Sequence, residues 1–489
     1  MKYDAVVIGS GLGGLECAAL LAKAGWSVAV LEQASEAGGC MQSFNRAGLM
    51  FDTGFHCVGA LDVGQSLYAP FKHLGLLALP WYKMDACFDH IAVGPHRFVA
   101  IEGFNAYRDY LSECFPDERE AIHSYFILLR NAGSQHLDLL NPAAERNNAI
   151  LNSFQISAWQ YLSTTFRNPL LIDALSADAF KTELNKDTLP LFSFLHSHSS
   201  FVESSWRLKG DASLIIHTLT DFIHNCGGNV YTCKDIVELM VQDGKISRAV
   251  CRDGEAFEAD FFISNIHPAD TCNLIKDGHA LRASFRRRIA SLTNTSGMFT
   301  VSIRLKANTL KYFNYNQYVF RRPDVWTFQN DRRVSGVMAS CRVPEDGSPY
   351  ARQIDLLTLM GWNECSRWLG TTPGHRDEDY LAFKNKKADE CIELAQTVIP
   401  NLHNCIDTCY TSTPLTWHDY LRAPQGSAFG VRKDFNAPLT TLLSVRTPVP
   451  NLFLTGQNLM LHGIHGVTMT ALFTCAEILG KDYIWKILN

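Results

Sequence analysis

The chain has no surplus of charge of either sign: 44 Lys and Arg stand against 49 Asp and Glu, a net charge of -5. Without a basic excess there is no electrostatic footprint for nucleic acid, and no such partner is expected. Only 19% of the residues are charged while 47% are hydrophobic, which excludes a disordered chain and allows a large core. The fifteen cysteines are odd in number, scattered and never spaced CxxC. Neither a disulfide framework nor a zinc site follows, no metal is expected, and the thiols read as reduced ones in a cytoplasmic protein. No uncharged apolar run is long enough to span a bilayer. Asp4, Glu16 and Lys23 interrupt the apolar amino terminus and no small-residue cleavage site follows, which argues against a secretory signal. Internal repeats and low-complexity segments are missing too, and 489 residues imply two or three packed units.

What is present begins at once. YDAVVIG is rich in Val and Ile and alternates too little for a half-exposed strand, so it predicts a central parallel strand buried on both faces. It runs into GSGLGG; LECAALLAKAG then predicts a helix closed by Gly25, and WSVAVLE a second strand ending in Glu32. In such a unit Gly9 permits the tight turn, Gly11 admits a pyrophosphate close to the backbone, and Gly14 lets helix and strand pack closely. Leu12 and Gly13 complete the turn at a helix N-terminus whose unpaired N–H groups suit phosphate. Glu32, with Gln33 beside it, stands where an adenosine ribose is held. Strand, turn, helix, strand and acid in this order predict a dinucleotide-binding unit; the glycines alone do not separate FAD from NAD.

A second glycine pair, Gly38 and Gly39, follows shortly after Glu32, as in flavoproteins in which FAD lies extended. AGGCMQSFNRAGLMFDTGFHCVGAL and the carboxy-terminal NLFLTGQNLMLHGIHGVTMTALFTCAEIL resemble, together, the retinol saturase branch of the phytoene desaturase and carotenoid isomerase superfamily. WRLKGDASLIIHTLTDFIHNCGGNVY with VELMVQDGKISRAVCRDGEAFEADFFISN is similar to the central part of the same family's cofactor domain; Trp206 to Asp211 stands where relatives usually have Pro-x-Gly-Gly, so Asp211 departs from the pattern. The resemblance implies an α/β fold: a discontinuous Rossmann-type FAD-binding domain, glutathione-reductase-like, with an inserted α+β substrate domain. Its pieces are expected at 1–70, 205–285 and 440–489, with 71–204 and 286–439 forming the substrate domain and a helical cover. By the same resemblance Cys40, Val237, Gly456, Gln457, Gly463, Gly466 and Val467 join the cofactor contacts. Amine oxidases and many desaturases carry Arg after the second glycine pair; Cys40 in that place argues against an amine substrate.

The resemblance also implies an activity: FAD-dependent saturation of a conjugated C=C bond in a hydrophobic polyene or isoprenoid. Desaturation and cis-trans isomerisation are alternatives within that chemistry, and a flavin-binding protein without turnover is one outside it. A nicotinamide dehydrogenase ranks low, because two more segments downstream resemble flavin contacts; a separate NAD-binding unit with its own glycine fingerprint is missing, so NAD(P)H as electron donor would meet the flavin through the substrate face, or a separate reductase would supply the electrons. Saturation needs a hydride at one carbon and a proton at its neighbour, so a general acid is expected beside the flavin ring. His56, His462 and His465 are the candidates, since each lies in a segment expected to approach the ring and His titrates near neutral pH. Glu477 falls too far along the last helix.

The polar residues of FDTGFHCVGA, residues 51–60, are expected to be tolerated because the segment borders a polar cofactor. His196 and His198 of LHSHSS lack acidic or thiol neighbours at ligand spacing, so a polar lining or loop is favoured over a metal pair. FRRRIA, residues 285–290, offers a peripheral membrane contact, but a solvated helix face is the better reading. Tyr420, Gly426 and Gly430 either shape a substrate channel or hold a β-hairpin.

Overall fold

The computed structural model describes residues 2–143 and 152–489. Met1 and residues 144–151, which fall in the first cofactor segment and the first insert of the division above, lie outside the described residues. Two large sheets organise the chain.

In the first sheet, strands Asn229–Tyr231, Val28–Leu31, Lys2–Ile8 and Ala256–Ser264 run parallel in that spatial order. The last of these forks. Its start pairs antiparallel with Lys245–Cys251, which continues to Ile236–Gln242, and its end pairs parallel with Leu452–Leu454. The continuous Val and Ile run of the first strand is explained by covering on both sides: helix Leu12–Lys23 packs on one face, and the other meets the core of Ile236, Ala249 and Leu281. Helix Gly463–Leu479 lies along helix Leu12–Lys23. Phe71, Leu74 and Leu76 pack into the same core, past the residue-70 boundary.

The second sheet carries, in spatial order, Ile406–Ser412, Gly297–Leu305, Gln353–Met360, Gly336–Cys341, Asn316–Phe320, Asp89–Val93 and His96–Ala100. All pairs are antiparallel except Asn316–Phe320 with Asp89–Val93, so one strand from each insert meets here and the two inserts share a sheet. Period-2 alternation sorts the side chains. Ile91, Tyr318, Phe320, Met338 and Leu357 face a helical cover that includes Arg119–Asp138 and Leu191–Glu203, whereas Ala92, Val319, Val337, Ala339 and Leu356 face helix Glu378–Ala395. With both faces covered, the central strands are apolar on both sides over stretches such as residues 337–339 and 356–357.

Local chemistry sets several smaller features. Thr413 caps helix Pro414–Leu421, which ends at Arg422 in the left-handed region, so the segment holding Tyr420 and Gly426 is a helix and turn, not a β-hairpin. Asp211 accepts the Ser213 N–H at 3.0 Å and supports the start of helix Ser213–Asn225 in place of a glycine turn. In helix Ala283–Ala290, Arg286 donates to the carbonyls of Cys272 and Ile275, both at 2.7 Å, so this part of the basic run is spent on internal bonds. Among the described residues no helix is long and apolar enough to cross a membrane.

Candidate active site

The amino-terminal glycine turn and the carboxy-terminal loop meet. A Cβ on Gly13 would stand 3.1 Å from the Cα of Gly456 and 3.1 Å from Val467. Gly9 has φ +89°, a conformation that glycine adopts without strain, and Gly14 has no room for a Cβ because the carbonyl oxygen of Gly9 occupies that space. The strand therefore hands over to helix Leu12–Lys23 at van der Waals distance, and the unpaired N–H groups of the helix's first turn face the cavity that Gly11, Leu12 and Gly13 line. Glu32 is oriented by three donors: Ser10 N–H at 3.0 Å, Ser10 Oγ at 2.6 Å and Ala34 N–H at 2.9 Å. Ser10 Oγ also accepts from Gly38 N–H at 3.1 Å, which ties the two glycine turns together.

From this crest a cavity of about 1080 Å³ runs to the second sheet, where Tyr318 and Met338 line it. That exceeds the roughly 300–1,000 Å³ of an ordinary small-molecule pocket and leaves space for a dinucleotide and a second ligand. Gly9, Glu32, Gln33, Gly38, Gly39, Cys40, Val237, Gly456, Gln457, Gly463 and Val467 all line it. Gly14 and Gly466 stand behind the wall, the latter because a Cβ there would meet Leu461 at 2.6 Å. The glycine cradle fits an extended dinucleotide because its backbone lines the cavity without side chains: at Gly11 a Cβ would stand only 2.7 Å from Asn265 Nδ2, so no larger residue fits there. Asn265 and Ser10 were not among the predicted contacts; each sits at the end of a strand or turn beside a glycine, the only signal available for it. Burial pushes the Cys40 thiol up to about 11, so no charge follows the second glycine pair.

The three histidine candidates all line the cavity. Loss of surrounding water, with Arg207 and Arg342 nearby, holds His56 down at about 4, and its Nε2 has no hydrogen-bond partner among the described residues. His462 is likewise lowered to about 4, by burial first, and its Nε2 meets the Lys181 carbonyl at 2.9 Å. His465 differs: Nε2 lies 2.7 Å from Ser66 Oγ, and its ring stacks on His196 at 4.6 Å and 8°. The lowered values have a measurable consequence. An unfolded chain protonates His56 and His462 near the ordinary value of 6.5, the folded one only near 4. Between those values the unfolded state binds more protons, so this contribution is fully present above pH 6.5 and is lost as pH falls toward 4. Thermal melts across this range are expected to show a shallower pH slope for His56→Gln and His462→Gln than for the parent.

Beyond the histidines the wall changes character. Phe180, Phe201, Met338 and Trp417 are apolar, and helix Leu191–Glu203 adds His196 and Ser200. His198 turns away and pairs with Asp178, whose other oxygen accepts from Lys181 at 3.0 Å. Among the described residues no group of His, Cys, Asp and Glu is arranged to hold a metal. Tyr420, 66% exposed, and Gly430 stand on the cavity lining, while Glu477 pairs with Arg446 outside it. Asp52 corrects the expectation for FDTGFHCVGA. Gly54, His56 and Cys57 border the cavity, but Asp52 does not: its carboxylate takes Ser43 Oγ at 2.7 Å, Ala212 N–H at 2.9 Å and the Arg342 guanidinium.

Comparison with known proteins places these features. A family model described as NAD(P)-binding Rossmann-like domain matches residues 7–74, the stretch holding both glycine turns. An all-trans-retinol 13,14-reductase from Homo sapiens is 26% identical, covering 100% of this chain and 87% of its own length. A lycopene-forming phytoene desaturase from a Paracoccus species is 22% identical over 87% of each chain. These relatives support a likeness of the chain to the phytoene desaturase and carotenoid isomerase superfamily, and within it to the retinol saturase branch. The solved cyclohexylamine oxidase from Brevibacterium oxydans superposes on this chain with TM-score 0.64 at 15% identity, covering 100% of this chain and 99% of that one. That likeness shows the fold alone, an arrangement of two large sheets.

Proposed function

We propose that the protein is an FAD-dependent oxidoreductase that saturates a conjugated C=C bond of a hydrophobic polyene, as the name of its human relative denotes for retinol. The observation that carries this is the single cavity joining the glycine crest at Gly9–Gly13 to the apolar wall of Phe180, Phe201, Met338 and Trp417. FAD, when bound, supplies the hydride. The N–H groups at the start of helix Leu12–Lys23 hold its phosphates, Glu32 its ribose, and the Gly456–Val467 segment its ring end.

The chain's own residues provide the proton and exclude water. His56 and His462 are neutral at pH 7 and serve as lining and hydrogen-bonding groups. His465 carries the proton, with Ser66 Oγ fixing Nε2 and the His196 ring holding its plane. NAD(P)H is the electron donor to be tried first.

Enzyme reduced without oxygen and mixed with retinoids and carotenoids is expected to reoxidise as the polyene loses conjugation. Reoxidation by none of them, or interconversion of geometric isomers without net redox, overturns the reading. His465→Gln is expected to slow reoxidation by roughly 10²–10⁴-fold, the usual share of a general acid, while the flavin content stays that of the parent.

A further inference from the structure

Helix Leu191–Glu203 turns Ser193, His196, Ser197 and Ser200 toward the cavity, spaced three and four apart and therefore on one helical face. Tyr318, on strand Asn316–Phe320, lines the same cavity from the sheet. Ser193 is 3% exposed and Tyr318 0%, yet neither Ser193 Oγ nor the Tyr318 hydroxyl has a hydrogen-bond partner among the described residues. Buried hydroxyls are nearly always paired, because burial strips them of water and returns nothing unless a partner replaces it. Two such groups lining one cavity, beside Phe180, Phe201 and Met338, call for an oxygen that arrives with the ligand.

The surrounding charges decide what kind of oxygen. The only nearby cation in the wall described here, Lys181, lies 5.8 Å from the Tyr318 ring but is bracketed by Asp89 at 2.7 Å and Asp178 at 3.0 Å. Arg207 is spent on the carbonyls of Cys341 and Tyr315 and on Asn316 Oδ1. Those acceptors are neutral, so Arg207 keeps its charge, but Arg207 and Lys181 together face two carboxylates, Asp89 and Asp178, and this cluster has no net positive charge left for a third. Burial pushes the Tyr318 hydroxyl well above its ordinary range, so it keeps its proton and acts as a donor. Ser193 Oγ can donate or accept.

We propose that Ser193 and Tyr318 form a recognition site for a neutral oxygen, the hydroxyl or carbonyl of an otherwise apolar polyene. Hydrocarbon polyenes and carboxylates are disfavoured there: the first leaves both hydroxyls unpaired, the second brings a charge into a wall that has no cation to spare. This rests on the reading of the cavity as a polyene site, and it names the two residues as determinants of specificity.

The test uses the full-length, flavin-loaded protein and reads equilibrium binding by quenching of tryptophan fluorescence, with no turnover required. The probes are all-trans-retinol, all-trans-retinoic acid and the hydrocarbon anhydroretinol. The parent is expected to bind retinol at least about tenfold more tightly than either of the others, the worth of one to two hydrogen bonds. Tyr318→Phe and Ser193→Ala are each expected to weaken retinol by about tenfold and to leave anhydroretinol unchanged. Flavin content and melting temperature equal to the parent's show that each variant is folded. Equal binding of the three probes by the parent, or variants that weaken all three alike, overturns the assignment. Preserved Tyr318-dependent retinol binding with no reoxidation of reduced enzyme would instead overturn the proposed reaction and leave the recognition site standing.

Discussion

Gly14→Ala is expected to yield a protein purified without its yellow cofactor. A methyl group at that position would enter the space of the Gly9 carbonyl oxygen, and it would also press on Asn265 Cβ at 3.2 Å. The first obstacle is backbone, in the turn that must stay tight for a pyrophosphate to approach, so no side-chain rotation relieves it. Overpacking of a well-filled site costs about 1–3 kcal/mol. Here the strain moves the phosphate cradle itself, and an affinity loss of about 10²-fold follows from the upper end of that range. The ratio of visible flavin absorbance to protein absorbance, measured on the purified variant, reads the effect directly. Gly48→Ala is the control: it also has a positive φ, +80°, but nothing stands within 4 Å of the added methyl. That variant should remain yellow, and a Gly14→Ala protein as yellow as it would contradict the close packing of strand and helix.

The second large effect lies at Asp52. Its side chain is 8% exposed and its partner Arg342 10%. Burial raises the Asp52 carboxyl, and the Arg342 charge and the bonds from Ala212 and Ser43 work against that rise. These contacts join three places: the ribbon Ser43–Arg46, the start of helix Ser213–Asn225, and the end of substrate-sheet strand Gly336–Cys341. Removing one member of a buried pair strands the other charge, which typically costs about 3–5 kcal/mol. Asp52→Ala is therefore expected to lower the melting temperature by something on the order of 5 °C. Asp52→Ala combined with Arg342→Met should recover part of that loss, because no charge is then left alone. Losses that simply add would show that the two residues do not act as a pair.

How much of this was legible beforehand depended on sequence distance. The first strand, glycine turn, helix and second strand occupy residues 2–31, and each declares itself through a local period or a required glycine. Gly456–Val467 was placed against them through resemblance, not through any local pattern, and it is the Gly13–Gly456 approach that closes the cavity. Asp52 was placed at the cofactor's edge because a polar residue in an apolar run asks for a partner; the partner proved to be Arg342, 290 positions away. Tyr318 looks like one more β-strand aromatic until the parallel pairing of Asn316–Phe320 with Asp89–Val93 turns it toward the helical cover. Ser193 lies just before the LHSHSS stretch and carries no signal of its own; only the phase of helix Leu191–Glu203 shows which hydroxyls reach the cavity.

Taken alone, the sequence determined the dinucleotide-binding unit of residues 2–31, because turns, caps and hydrophobic periods are set by neighbours a few residues apart. The tertiary structure alone decided which histidines lose their water, which carboxylate meets which cation, and which buried hydroxyls are left without a mate. Those outcomes depend on desolvation and on contacts between distant segments, and neither exists until the two sheets close on each other.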